Sequence, residues 1–377
     1  MAGLVSAALI VRDEAAYLPA CLGSIRDVVD EIVVVDTGSA DDSPGIAEGF
    51  GARVYHRRWA DDFAAARNAA LDRCGGEWIL YIDADERLAP VQRPEVEGLL
   101  ADAPEVAFRL LLRPVARSTP YREYRLWRND PRIRFEGVIH EKVVPSIHAV
   151  AETDGRPIGV SDLLLTHVGY EGDQTRKHLR NLPLLRCRVR EEPENLFNWH
   201  HLARVLAGLG QGPAAERVLA HAVDISRAKQ FVDSAGALAY CDLIAARLGR
   251  GEDVTALLAE ARRLYPRNWV ALWLQARVFI AAGSFDEAIG AFDQLLAVDV
   301  AGLPDEGPSY DERLFGEFAH DGRGLCLFRL GRYREAAAAY AEAGRCHPAS
   351  RAYSVKAELA LARSRRAAAV SVTSTET

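Results

Sequence analysis

The sequence predicts two architectures in series: an α/β N-terminal domain with a Rossmann-like, mostly parallel sheet, then an all-α domain of helical repeats. Three observations lead there. Short apolar runs alternate with stretches of helical spacing as far as Glu86. Those runs open into carboxylates, at Asp36 and at Asp83, Asp85 and Glu86, which puts acids at the carboxyl edge of a sheet, where open α/β folds bind ligands. From about Leu196 no strand-like run recurs, and Ala, Leu and Arg at helical spacing dominate.

The elements follow in order. Leu4–Val11 is a first strand and Ala15–Val28 a helix with apolar spacing at Tyr17, Leu18, Cys21, Leu22, Ile25 and Val28. Glu31–Val35 is a buried strand running into Asp36-Thr37-Gly38-Ser39, and Asp41 and Asp42 offer N-caps for a helix to about Phe50. Arg53–Tyr55 is a short third strand, Phe63–Cys74 an Ala-rich helix, and Trp78–Ile82 a fourth strand buried on both faces. Such alternation implies right-handed crossovers.

Length and composition set the limits. With 377 residues, two or three domains fit, and 49% apolar content is ample for a core. A net charge of −7 leaves no basic excess for neutralising phosphates, which argues against a nucleic-acid partner. Six cysteines without a C-x-x-C read as small buried hydrophobes in a reducing compartment. The first apolar run has no basic flank or cleavage site, and no apolar stretch reaches the roughly 18 residues of a spanning helix. The expectation is a soluble, cytoplasmic protein with no membrane span.

An acid at the end of the second strand also suits a dinucleotide-binding domain. The turn after strand one, Val11-Arg12-Asp13-Glu14-Ala15, rejects that reading, because without G-x-G-x-x-G the backbone cannot approach a pyrophosphate there. Asp83-Ala84-Asp85 offers another route: two carboxylates close enough to share a hard cation that holds a diphosphate. The alternative for this motif is a solvated acidic turn.

The order and spacing of several pieces narrow the choice. Val11-Arg12-Asp13-Glu14, Cys21-Leu22-x-Ser24-Ile25, Glu31-Ile32-Val33-Val34-Val35-Asp36-Thr37-Gly38-Ser39, Trp59-x-Asp61-Asp62-Phe63-x-x-x-Arg67-Asn68-x-x-Leu71 and Trp78-Ile79-Leu80-x-Ile82-Asp83-Ala84-Asp85-Glu86 together resemble the family-2 inverting glycosyltransferases of GT-A fold. Tyr124–Arg128 and Phe135-x-Gly137-x-Ile139-His140-Glu141 resemble that family's acceptor-side segments, and Thr166-His167-Val168-Gly169-Tyr170 the strand end that closes the domain. The branch it looks most like carries helical repeats after the transferase, as in bacterial peptide S-glycosyltransferases that modify bacteriocins.

The resemblance implies a role for each residue, and the residues themselves leave an alternative beside each. Asp36 is implied to hydrogen-bond the nucleotide base; a turn or capping role is the alternative. Val11, Arg12 and Glu14 are implied to frame the same pocket, and Arg12 and Glu14 could instead form a surface ion pair. Arg67 and Asn68 are implied to line the donor side, the alternative being that they brace the acidic loop. Asp83 and Ala84 fall at the donor, and Asp85 and His167 are implied to ligate Mn²⁺ or Mg²⁺, although a lone histidine is often structural. Glu141 takes the place of the base that removes the acceptor's proton; a salt bridge to Lys142 or an Arg is the alternative.

In the second half a signature returns as Gly210/Ala215/Leu219/Ala222, Gly249/Val254/Leu258/Ala261, Gly283/Ala288/Phe292/Leu295 and Gly331/Ala336/Tyr340/Ala343. The second and third copies lie 34 residues apart, the period of a tetratricopeptide helix pair. A Pro/Gly-rich insertion at Val300–Gly316 stretches the last gap. Such arrays bind extended peptides or dimerise. Trp199, Trp269 and Trp273 are the aromatics to watch on its surface, with core positions as the alternative.

The expected domains are 1–172 transferase, 173–195 connecting helix, 196–365 repeats and 366–377 disordered tail. The expected function is transfer of a sugar from a nucleotide-diphosphate donor, UDP favoured by family habit, to a peptide, protein or natural-product acceptor, with a homodimer through the repeats as a further possibility. The competing readings are a nucleotidyltransferase, whose usual Gly-rich basic signature after strand one is missing, and a non-catalytic repeat scaffold with a degenerate nucleotide-sugar domain.

Overall fold

The computed structural model describes residues 4–169, 174–229, 234–305 and 307–373. It divides into two compact units, Met1–Pro193 with Pro304–Ser309, and Glu194–Leu303 with Tyr310–Thr377.

The first unit begins as its apolar pattern dictates: β1 (Val5–Val11), α1 (Leu18–Ile25), β2 (Glu31–Asp36), α2 (Ser43–Gly49), β3 (Arg53–His56), α3 (Phe63–Leu71) and β4 (Trp78–Tyr81). These four strands pair in parallel in the order β3-β2-β1-β4, with Val11 opposite Asp36 and Val5 opposite Trp78. The period of two divides each run between two cores. Leu9, Val11, Val34 and Leu80 pack with Leu18, Leu22 and Ile25 of α1, while Ala8, Val33, Val35 and Ile79 pack with Ala64, Ala70 and Leu71 of α3. Burial on both faces is why β1, β2 and β4 read as nearly unbroken apolar runs, whereas β3 lies at the sheet edge.

The rest of the sheet is less uniform. It contains β5 (Glu86–Leu88), α4 (Arg93–Leu100), β6 (Ala107–Arg113), β7 (Tyr121–Arg128), α5 (Val144–Asp154) and β8 (Ile158–His167). The eight strands run β3-β2-β1-β4-β7-β6-β8-β5. Four of the seven pairings are parallel and three antiparallel. No strand pattern is legible in β6 and β7, because Arg109, Arg113, Arg122, Arg125 and Arg128 interrupt their apolar positions.

One pairing positions the site. β5 follows β4 almost at once in the chain, yet it pairs with β8 at the far end of the strand order, Glu86 opposite His167. The acidic turn between β4 and β5 is therefore drawn against the end of β8. Helix α6 (Thr175–Glu191) follows and belongs to the first unit, although its sequence reads as a connector. Tyr170 and Asp173 lie outside the described residues.

The second unit is an array of helix pairs: α7 (Leu196–Gly208) with α8 (Gly212–Ala228), α9 (Ser234–Gly249) with α10 (Thr255–Leu264), α11 (Trp269–Ala282) with α12 (Phe285–Leu296), and α13 (Glu317–Arg329) with α14 (Tyr333–Cys346), closed by α15 (Arg351–Thr373). Every Ala, Val, Leu, Phe and Tyr of the fourfold signature is buried. The marker glycines at 210, 283 and 331 sit in the turns at φ of 75°, 77° and 76°, where a side chain is strained. In the second copy that place falls to Gly251, at φ 76°, whereas Gly249 ends α9. Within the expected insertion, Leu314 and Phe315 join the array's core, and Asp305 bonds the Arg122 backbone in the first unit at 2.9 Å.

Two expectations for this half change. Trp199, Trp269 and Trp273 are partly buried rather than exposed: Trp199 meets His221 edge-on at 4.6 Å, and the other two pack on the core. Helix α15 continues past residue 366, where a disordered tail was expected to begin, and runs to Thr373. Among the described residues no helix is long and apolar enough to cross a membrane.

Helix α13 packs through bare backbone. A Cβ at Gly322 would lie 2.2 Å from the Phe292 ring, and one at Gly324 would lie 2.7 Å from the Tyr340 ring. Glycine there lets large aromatics from both neighbouring helices seat against α13. Phe292→Ala should therefore lower stability by about 3–5 kcal/mol through the cavity it leaves. Denaturant unfolding followed by circular dichroism measures this, and a cost below about 1 kcal/mol would contradict the packing described.

Candidate active site

The acidic turn is held from beneath by a buried ion pair. Glu86 is 1% exposed and receives the Arg125 guanidinium in a fork at 2.9 and 2.8 Å. The same carboxylate accepts the Asp83 backbone N–H at 2.9 Å, so the pair fixes the start of the turn. The Tyr81 ring makes cation–π contacts with two guanidiniums, Arg67 at 4.4 Å and Arg125 at 4.5 Å. The Tyr81 hydroxyl donates to Asp83 at 3.1 Å. Arg67, carried on α3, donates to Asp83 through Nη1 at 2.9 Å and to the Glu141 carboxylate through Nε. Burial alone would raise the Asp83 pKa, but Arg67 and Arg125 outweigh it and hold the carboxyl below its usual range.

Asp85 sits one residue before β5 and is 8% exposed. Its Oδ2 lies 3.3 Å from His167 Nε2 and 3.1 Å from Lys177 Nζ. Burial opposes the charge on Asp85, yet His167 and Lys177 together press its pKa far down. His167 Nδ1 accepts the Gly169 N–H at 3.3 Å, so the proton lies on Nε2 facing Asp85 and has to leave before that nitrogen can ligate a cation. Although burial would lower the imidazole pKa, the bond to Asp85 raises it. Gly169 is needed for this approach: a Cβ there would lie 2.0 Å from Asp85 Oδ2.

Around this pair opens a cleft lined mainly by polar and charged groups. Val11, Arg12, Glu14, Arg67, Asp83, Ala84, Asp85 and His167, all singled out in the sequence, line it together. The loop after β1 is tied down by Asp13, which accepts from Ala40 N at 2.7 Å and pairs with Arg176 of α6 at 2.6 Å. Burial pushes the Glu14 carboxyl up to about 7; Asp85 and Asp83 add to that rise, and Lys177 and Arg180 oppose it.

Three predicted residues do not line the cleft. Asp36 accepts backbone N–H bonds from Gly38 at 3.2 Å and Ser39 at 3.0 Å, and lies 3.1 Å from His56 Nδ1, so its carboxylate is anchored in its own turn. Asn68 pairs both ends of its amide with the Phe135 backbone at 2.9 Å, bracing α3 against the 133–143 segment. Glu141 sits behind Arg67, its side chain 10% exposed.

The cleft also holds residues that sequence reasoning missed. Trp59 and Phe63 line it, and both fell inside quoted motifs without being given a role; Thr37, expected only to shape the turn beneath the base, lines it as well. Lys177 and Arg180 come from α6, with the Arg180 guanidinium 5.0 Å from the Phe63 ring. The only available signal was the run of basic residues in the supposed connector.

Among the described residues no group of three or more His, Cys, Asp or Glu converges as a metal cage. Asp85 and His167 alone form a sparse donor set. It fits a cation that completes its shell with phosphate and water oxygens, as Mg²⁺ and Mn²⁺ do.

With this geometry in view, residues 6–137 match the family model Glycosyl transferase family 2. That segment is a family 2 glycosyltransferase domain. Among curated proteins, this chain is 39% identical to a TPR repeat-containing protein of Synechococcus elongatus, over 57% of this chain and 55% of that protein. It is 26% identical to the SPbeta prophage-derived glycosyltransferase SunS of Bacillus subtilis, over 51% of this chain and 46% of the relative. The chain thus spans about half the length of these relatives. Among solved structures, a mannosyltransferase from Pyrobaculum calidifontis in complex with GDP-Man and Mn²⁺ aligns with a TM-score of 0.41 and 16% identity, covering 76% of this chain and 88% of that one.

Two predictions follow from the buried groups. Arg125→Met leaves the Glu86 carboxylate buried without its partner and should cost about 3–5 kcal/mol of stability, with Glu86→Gln added to Arg125→Met recovering part of the loss. His140, at φ 52° before Glu141, is held neutral: burial, with Arg188 and Lys142 adding to it, pushes its pKa down to about 4. As pH falls below the ordinary histidine value, the unfolded chain takes up a proton that the fold refuses. Wild type should then lose stability relative to His140→Asn by about 1.4 kcal/mol per pH unit between pH ~6.5 and ~4. Parallel stability curves for the two proteins in denaturant titrations across that range would contradict it.

Proposed function

We propose that the chain is an inverting, metal-dependent glycosyltransferase that moves a sugar from a nucleotide-diphosphate donor, with UDP favoured, to a peptide or natural-product acceptor. The observation that carries this reading is the convergence of Asp85 and His167 at one edge of a cleft that also presents Arg12, Lys177 and Arg180. Two fixed ligands beside three cationic side chains suit a diphosphate better than a neutral ligand. The family 2 match over residues 6–137 supports the reaction class.

In this reading each residue has a task. Asp36, immobilised by the Gly38 and Ser39 N–H groups, offers a fixed acceptor to a nucleobase N–H. Arg67 and Tyr81 hold Asp83 against the donor side of the turn. A divalent ion bound at Asp85 and His167 would offset the charge that grows on the leaving diphosphate. Inversion is one in-line displacement, so a base must take the acceptor's proton on the opposite face. Glu141 is our candidate: Arg67 engages its Oε1, which leaves the other carboxylate oxygen for that proton. A thiol acceptor would need less help from it. The helix-pair array of the second unit supports a polypeptide acceptor, since such arrays hold extended peptides.

The test is donor hydrolysis and transfer by the full chain over a panel of nucleotide sugars, with and without Mn²⁺. We expect turnover of a UDP-sugar that is abolished by chelation and by Asp85→Asn. Glu141→Gln should cut transfer by about 100-fold or more while UDP binding is nearly unchanged. Turnover indifferent to both chelation and Asp85→Asn would remove the metal from the scheme, and normal transfer by Glu141→Gln would remove that base.

A further inference from the structure

We propose that Lys177 is a built-in occupant of the cation position at Asp85: it neutralises Asp85 while the donor is absent, then turns its charge to the donor's diphosphate. The proposal rests on the metal reading above and assigns a role to a residue outside the family 2 match.

The argument starts from one oxygen. Asp85 Oδ2 faces both His167 Nε2 at 3.3 Å and Lys177 Nζ at 3.1 Å. Two of these three groups are fixed by backbone. Asp85 is pinned by its carbonyl, which accepts the Val168 N–H at 2.8 Å, and His167 by the β5–β8 register and the Gly169 N–H on its Nδ1. Lys177 is the mobile partner. It reaches in from the first turn of α6 on a four-carbon stem, with its side chain 35% exposed.

A divalent ion bonded to Asp85 Oδ2 would stand about 2.1 Å from that oxygen. An ammonium held at 3.1 Å from the same atom would then be a like charge a few ångströms away, and repulsion drives it off. The ammonium need not return to bulk water, because the cleft it lines with Arg12 and Arg180 is where a diphosphate brings new negative charge. Glu14 and Asp83 are the further acidic groups lining this cleft, and Glu14 interacts electrostatically with Lys177. Removing Lys177 should therefore ease metal entry and weaken donor binding, two opposite effects that a merely structural lysine would not produce.

Calorimetry on the full chain separates these effects. Mn²⁺ alone is titrated into wild type, Lys177→Met and Lys177→Gln, and UDP is then titrated at saturating Mn²⁺. We expect both variants to bind Mn²⁺ about three- to tenfold more tightly than wild type, the gain from removing a partly exposed competing ion pair. We expect UDP to bind them about tenfold more weakly or worse, the loss of a charged hydrogen bond. Wild-type-like thermal unfolding verifies that the variants are folded. Equal Mn²⁺ affinity in all three proteins overturns the role of Lys177 and leaves the metal reading standing. Failure of Mn²⁺ to bind any of them, with or without UDP, overturns the metal reading and this proposal together.

Discussion

A guanidinium and a carboxylate, both out of water, set the height of the acidic turn. Arg125 comes from β7 and Glu86 from β5, so their fork joins two strands that are not neighbours in the sheet. Removing either charge alone would strand the other, which makes the pair costly to disturb even if its net contribution to stability is small. Because Glu86 also takes the Asp83 N–H, the position of both aspartates follows from this one contact. Tyr81, in cation–π contact with Arg125 and Arg67, passes the constraint upward to the cleft.

Much of the first unit could be read from residue order. The strands β1, β2 and β4 are apolar on both faces, and continuous runs such as Val33-Val34-Val35 leave few other structures to consider. The rest of the sheet was hidden for the opposite reason: arginines at 109 and 113 in β6 and at 122, 125 and 128 in β7 break the pattern, and the β6 pairings slip register after Phe108 and after Leu110. The three-residue β5 carries no signature of its own, yet its pairing with β8 is what brings Asp85 to His167. Lys177 lies 92 positions beyond Asp85, and nothing local to α6 points to their meeting. Asn68, which the resemblance implies to line the donor side, has both ends of its amide engaged by the Phe135 backbone, a contact that no local pattern announces.

The helical array was legible at the level of single positions because its physics repeats. Each pair needs a residue that tolerates positive φ in its turn and small or apolar residues where helices touch, and the signature records both. The one slip in register, Gly249 in place of Gly251, arose because Gly249-Arg250-Gly251 offers two glycines and only backbone conformation distinguishes them. The aromatic seats against Gly322 and Gly324 were not legible, since complementarity between a ring and a missing side chain appears only after the helices are docked.

Gly169 carries a consequence for how related sequences are to be judged. Its α-hydrogen occupies space that any larger substituent would take from the Asp85 carboxylate, 2.0 Å from where a methyl carbon would sit. A descendant of this chain could keep every acid of the turn intact and still lose the site through one added carbon two residues after the histidine. Inventories of acidic motifs alone would miss that change, because every carboxylate they count would still be present.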